Sequence, residues 1–216
     1  MTARPSPGPS GHPLPLTRER GQVVLLPLAG EGAAKRRMRA GDNLRGVLSF
    51  VAGAAADVFP SDLAEAIEAV VRGRFADAGA AFEAYRSDPV DAAGWSRLQT
   101  RVAKALAAAP QVTGMDAYQS VYLPVTIDGG VERVAIPNVA DPLEIGSLDA
   151  LLGELRTFAA QASLPVDDVE LMQLAAHYLE NDALIDEDLD VQTYVQLMLA
   201  AKQSAAHGVP LWIAVD

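Results

Sequence analysis

Tyr118-Gln-Ser-Val-Tyr-Leu-Pro-Val-Thr-Ile-Asp-Gly-Gly-Val-Glu-Arg-Val-Ala-Ile136 is where the hydrophobic period of this chain changes. Val121, Leu123, Val125 and Ile127 alternate with Tyr122 and Thr126, Asp128-Gly-Gly130 tolerates the positive φ angles of a tight turn, and Val131 to Ile136 returns. The pattern predicts a β-hairpin over 118–136. Pro124 has no N–H to give to a ladder, which puts its strand at an edge or turns its N–H side outward. A second strand signal, Leu211-Trp-Ile-Ala-Val215, follows a helix that ends at Gly208 and Pro210. Strand 211–215 is expected to join the hairpin in a small antiparallel sheet, with Trp212 or Ile213 in the core.

The remaining periodicity is helical. Leu44, Val47, Leu48, Val51 and Ala55 fall at i, i+3, i+4, i+7 and i+11, which predicts an amphipathic helix. Pro60-Ser61-Asp62 opens the next, with Ser61 as N-cap, Leu63, Ile67, Val70 and Val71 on one face, and Gly73 as its end. A third is expected from about Phe75 to Tyr85. A fourth, from about Asp91 to Ala109, carries Trp95, Leu98, Val102 and Leu106. Further helices are expected within 147–207. The fold class expected is therefore α+β and mostly helical: a helical bundle with a small antiparallel sheet made of hairpin 118–136 and strand 211–215. As domains, this gives a basic, Pro-rich, disordered leader over 1–40 and a single globular unit over 41–216, helical at 42–109 and again at 147–207.

Ala66, Gly73, Phe75, Ala78, Phe82 and Pro89, followed by Trp95 and Leu98, resemble the small and aromatic positions of a tetratricopeptide helical hairpin leading into a second one. The resemblance covers residues 63–98. It departs from the pattern at Tyr85, where a small residue is usual, and no third unit follows. It implies paired helices in close approach and a surface that binds peptides or proteins.

Charge is sorted along the chain. The first 46 residues hold eight Lys or Arg against three acids, and residues 157–216 hold ten acids and one Lys. The whole chain carries a net charge of -11 and has no cysteine, so disulfides, thiol catalysis and Cys-bound zinc are excluded. A reducing, cytoplasmic setting is consistent with this. The leader contains Lys35-Arg-Arg-Met-Arg39, read as solvated rather than as a nucleic-acid arm, and Met38 is an alternative start of translation. Secretion is the minor alternative, because Val47 to Ala52 and Ala54-Ala-Ala56 mimic a short signal with a cleavage site. No apolar run approaches the ~20 residues that cross a bilayer, so no membrane association is expected.

The densest charge is Glu180-Asn-Asp-Ala-Leu-Ile-Asp-Glu-Asp-Leu-Asp190, with six carboxylates in eleven positions. Helices at about 166–180 and 191–207 bracket it. The first turns Leu171, Leu174, Ala175 and Tyr178 inward and Glu170, Gln173, His177 and Glu180 outward. Asp186, Asp188 and Asp190 take positions 1, 3 and 5 of a calcium loop, but Val191 stands where the turn needs Gly and Leu197 where a bidentate Glu should close the site. A surface metal site using His177, Asp186, Asp188 and Asp190 is the weaker possibility. Asp188 or Asp190 suits a helix N-cap. Six acids exceed what a cap requires.

No phosphate loop, dinucleotide glycine pattern, nucleophile elbow or paired-histidine zinc motif occurs, so no cofactor is expected. The function expected is non-enzymatic: a protein–protein interaction protein, of inhibitor, immunity-type or adaptor kind. It would present Glu180, Asp182, Asp186, Glu187, Asp188 and Asp190 to a basic protein surface, with no nucleic acid bound through the folded part. The alternative is a metal-dependent hydrolase or divalent-ion-binding protein using 180–190.

Overall fold

The computed structural model describes residues 46–75, 82–180 and 188–215, all within one compact unit, Met38–Asp216. Its architecture is α/β, with a seven-stranded mixed sheet, and corrects the expectation of a helical bundle with a small antiparallel sheet. In chain order the elements are β1 (Val47–Ala52), α1 (Ser61–Arg72), β2 (Tyr85–Arg86), β3 (Val90–Asp91), α2 (Ala92–Ala105), α3 (Pro110–Thr113), β4 (Ser120–Leu123), β5 (Glu132–Val134), β6 (Leu143–Ser147), α4 (Leu148–Ala162), α5 (Asp168–Glu180), α6 (Leu189–His207) and β7 (Leu211–Val215). The strands run β2-β1-β7-β4-β6-β5 across the sheet, with β3 also paired to β1.

The first correction is β1. Val47-Leu-Ser-Phe-Val-Ala52 fits a helical stripe, but it is a short, β-rich run bracketed by Gly46 and Gly53, which suits a strand covered on both faces. Leu48, Phe50, Val51 and Ala52 are all buried. Leu48 and Phe50 face one hydrophobic cluster and Val51 the other. A helix would leave part of so continuous a run in water.

The second correction is the hairpin. The turn forms, with Gly129 at φ +91° and Gly130 at φ +99°, and a strand does return. However, β4 and β5 do not pair with each other. β6 lies between them, parallel to β4 with Val121 opposite Ile145 and antiparallel to β5 with Glu132 opposite Ile145. Burial supplies the reason. All four residues of β4 are buried, so it needs a neighbour on each side, while Glu132 and Arg133 leave β5 suited to an edge. Pro124 follows the last residue of β4, so its missing N–H costs the ladder nothing. On its other side β4 pairs antiparallel with β7, Val121 opposite Trp212.

The sheet separates two cores. On one side Leu48, Phe50, Tyr122, Leu211 and Ile213 meet α2, α4, α5 and α6 through Trp95, Leu98, Leu155, Phe158, Leu171 and Val195. On the other, Val51, Val121, Ile145 and Trp212 meet Ile67 and Val71 of α1, and Phe59 packs edge-on against Trp212 with ring centroids 5.6 Å apart. This geometry removes the tetratricopeptide arrangement over 63–98. α1 and α2 lie on opposite faces of the sheet, and Tyr85–Arg86 and Val90–Asp91 between them are strands paired with β1. Most of the helix expected at 75–85 lies outside the described residues; Tyr85, its expected end, is a strand residue.

On the side of α2, α4 and α5, α6 is the centre, buried around most of its girth. α2 crosses it closely at Gly94, where a Cβ would fall 2.4 Å from Thr193 Oγ1 and 2.6 Å from the Leu189 carbonyl oxygen. Gly94→Ala gains helix propensity but forces a backbone contact apart, and a net loss of about 1–3 kcal/mol is expected. Urea unfolding of the two proteins measures it.

Candidate functional site

The acidic region was built from two helices and the residues between them, and the structure divides it. Asp182, Asp186 and Glu187 lie outside the described residues. Glu180 is the last residue of α5 and is exposed. Asp188 occupies the N-cap position of α6, but its side chain makes no capping hydrogen bond.

Asp190 departs most from the sequence reading, which placed these carboxylates in solvent. It is only 7% exposed, and its Oδ2 accepts a hydrogen bond from Arg101 Nη1 at 2.6 Å. The same guanidinium stands 5.6 Å from the Phe158 ring centroid. Asp190 therefore joins α6 to α2 and contributes favourable charge to the first turn of α6. Arg101, not singled out from sequence, is its counter-ion. Their separation by 89 positions explains why no local pattern revealed the pair.

His177 is exposed on α5, with its ring 5.9 Å from that of Tyr178. Among the described residues, no three His, Asp or Glu side chains are grouped as a metal ion would need. The weaker metal reading thus keeps His177, Asp188 and Asp190 as positions that the structure does not assemble with one another, and Asp186 as one outside the described residues. Tyr178 sits at the same junction. Burial raises its hydroxyl pKa, and Asp188 and then Asp190 raise it further, so the phenol stays neutral beside the acids.

The outward face of α5 carries Glu170, Gln173, His177 and Glu180, as expected, and also an apolar set that was not expected. Val169 is 56% exposed, Met172 55% and Leu179 59%, with Val166 at 45% just before the helix. The inward residues Leu171 and Ala175 are buried. The sequence signal was present: α5 is apolar on both sides, which in a soluble helix ordinarily means burial on both sides. The start of α5 is fixed by Asp167, whose Oδ1 accepts the Val169 N–H at 2.9 Å. Lys202 of α6 donates to the Val166 carbonyl at 2.7 Å and pairs with Asp168.

A second polar cluster joins α3 and α4 to the sheet. Glu154 accepts the Gln111 and Val112 N–H groups on separate oxygens, at 2.9 and 2.8 Å. Tyr122 donates to the Gln111 carbonyl at 2.9 Å, and Gln111 Oε1 accepts the Ser147 N–H at 2.9 Å. Glu144, also buried, accepts from Arg133 Nε at 2.8 Å and from the Asp116 N–H. Burial, then the charges of Glu154 and Glu144, push the Tyr122 hydroxyl well above its ordinary pKa. A groove of about 490 Å³ passes over Glu154. Both Glu154 oxygens are engaged by main-chain donors, so this cluster has the chemistry of a brace between α3, α4 and the sheet.

Two outcomes follow from these environments. Asp190→Asn weakens a pair whose arginine stays partly hydrated, so a loss of about 1–2 kcal/mol is expected, against under about 0.5 kcal/mol for exposed Glu180→Gln; thermal melts of both variants compare them. Burial raises the pKa of Glu154, outweighing the two N–H donors that lower it. The folded state therefore holds this proton to higher pH than the unfolded chain. Glu154's contribution to stability is largest below the ordinary glutamate range and declines as pH rises through the raised value. Urea midpoints against pH should show this decline in wild type relative to Glu154→Gln. No helix among the described residues is long and apolar enough to cross a membrane. Comparison with family models, curated proteins and solved structures gives no match to this chain.

Proposed function

We propose that this is a non-enzymatic interaction protein that binds a basic protein surface through its acidic C-terminal face, in an inhibitor, immunity-type or adaptor role. One observation carries the reading. Along α5 and into the acidic run the chain offers Asp167, Asp168, Glu170, Glu180, Asp182, Asp186, Glu187 and Asp188, and the only Lys or Arg between residues 157 and 216 is Lys202. Interspersed cations would hold such acids in local pairs. Within this stretch Lys202 pairs with Asp168 and the other acids have no cation close in sequence, a surplus of negative charge that steers positive surfaces into contact and disfavours negative ones. Asp190 is left out of the contact set because it is buried and held by Arg101, whereas Asp168, paired with Lys202, stays exposed.

The test is affinity capture from cell extract with wild type and with Glu180→Gln/Asp182→Asn/Asp186→Asn/Glu187→Gln. Wild type should recover basic protein in stoichiometric amount. Recovery should fall about tenfold in the variant and in about 0.5 M salt, where the screening length is only a few ångströms. Equal recovery by both proteins, or none by either, overturns the proposal.

A further inference from the structure

Exposed large hydrophobics are scattered singly on most protein surfaces and need no explanation. Here they cluster: of the seven such side chains among the described residues, Val166, Val169, Met172 and Leu179 belong to one segment. Within α5, Val169, Met172, exposed Ala176 and Leu179 follow one another at intervals of three, four and three. At 100° per residue these positions fall within about 80° of arc, centred about 130° around the helix from the covered side formed by Leu171, Leu174, Ala175 and Tyr178, and span about 15 Å along the axis. That is the length of three helical turns. It matches the apolar edge of a second helix with anchors at i, i+3 or i+4, and i+7.

Charge decides what covers the stripe. Glu180 lies about 20° beyond one margin and Asp168, exposed although paired with Lys202, about 20° beyond the other. A second copy laid across the stripe would bring these acids against their own counterparts, in a chain already at net charge -11, and like charges across a seam oppose pairing. Lysines or arginines beside an apolar edge would meet them favourably. Met172 adds an unbranched, adaptable side chain at the middle of the stripe, suited to accommodating different apolar anchors.

We propose that the outer face of α5 docks an amphipathic helix of another protein, its apolar edge seated on Val169, Met172, Ala176 and Leu179 and its flanking cations facing Asp168 and Glu180. This rests on the basic-partner reading above and specifies its contact: the acids choose and orient the partner, and the stripe holds it.

The probe is an 18-residue fluorescein-labelled helix of leucine and lysine, with leucine at i, i+3, i+4 and i+7, read by anisotropy against the full chain. Saturable binding is expected, with no binding of the matching leucine–glutamate peptide. Val169→Ser/Met172→Ser/Leu179→Ser leaves the charge unchanged and should weaken binding at least about tenfold, since truncating interface anchors dominates affinity. Because the native chain contains no cysteine, Ala176→Cys can be labelled with benzophenone at one site and should crosslink the leucine–lysine peptide. Ser61→Cys, across the sheet on α1, should not. This crosslink tests the site even if the triple variant folds poorly.

Equal binding by wild type and a folded triple variant, or crosslinking only from Ser61→Cys, overturns the stripe while leaving the acidic-face function standing. A wild-type dimer that the triple variant turns into monomer overturns the basic helix in favour of self-association. Absence of saturable binding also overturns it. If the acid-run variant and the triple variant both retain a captured basic protein, the underlying function fails as well.

Discussion

The packing of α6 against its surroundings is the constraint on which the helical layer depends. Its Tyr194, Val195, Leu197, Met198 and Ala201 are buried together with Gln192, Thr193, Gln196 and Ser204. Apolar burial supplies the attraction, and the polar groups restrict the ways in which it can be satisfied. Thr193 Oγ1 donates to the Leu189 carbonyl at 2.8 Å. Gln196 receives the Asp88 N–H and donates to the Asp88 carboxylate, both at 3.2 Å. Ser204 donates to the Val209 carbonyl, fixing the exit of the helix toward β7. Gly94 then sets how near α2 can come, and the Asp190–Arg101 pair secures the same two helices at the start of α6.

Legibility in the sequence followed the range of the determining interactions. α1, α2 and α6 were readable because apolar spacing and some of their caps lie within each element: Asp91 accepts the Ala93 N–H at 2.7 Å, and Gly208 closes α6 at φ +63°, whereas Ser61, expected as the N-cap of α1, is its first helical residue and Pro60 holds the cap position without a side-chain hydrogen bond. Strand β7 was readable from its own period. β1 was not, because a strand buried on both faces loses the alternation that distinguishes it, and its six residues also satisfied a helical count. β6 was missed because Leu143-Glu-Ile-Gly-Ser147 is short and its pairing is with β4 and β5, not with a neighbour across a tight turn. The Asp128-Gly-Gly130 signal correctly located a turn but does not encode whether another strand inserts between the two that flank it.

The same distinction holds for the acidic site. Composition located the charge but could not tell a carboxylate spoken for by a distant arginine from one facing water. Asp190 belongs to the first kind and Glu180 to the second. The apolar residues Val169, Met172 and Leu179 of α5 were equally visible in the sequence, yet whether they are covered depends on elements distant from them along the chain. Only after the sheet and α6 had been placed did one side of α5 emerge as covered and the other as open.

Strand β7 has a consequence for how this chain acquires its structure during synthesis. It lies between β1 and β4, and Trp212 donates from its indole to the Gly53 carbonyl across 159 positions of sequence. Until residues 211–215 have emerged, β1 and β4 have no strand to join them, and the two halves of the sheet present bare ladder edges. Helices can form early from local signals, but the central seam must wait for the 159 positions between Gly53 and Trp212 to be made. Contacts so distant in sequence slow folding. They also leave the emerging polypeptide exposed to wrong strand pairings from the synthesis of β1 until β7 arrives.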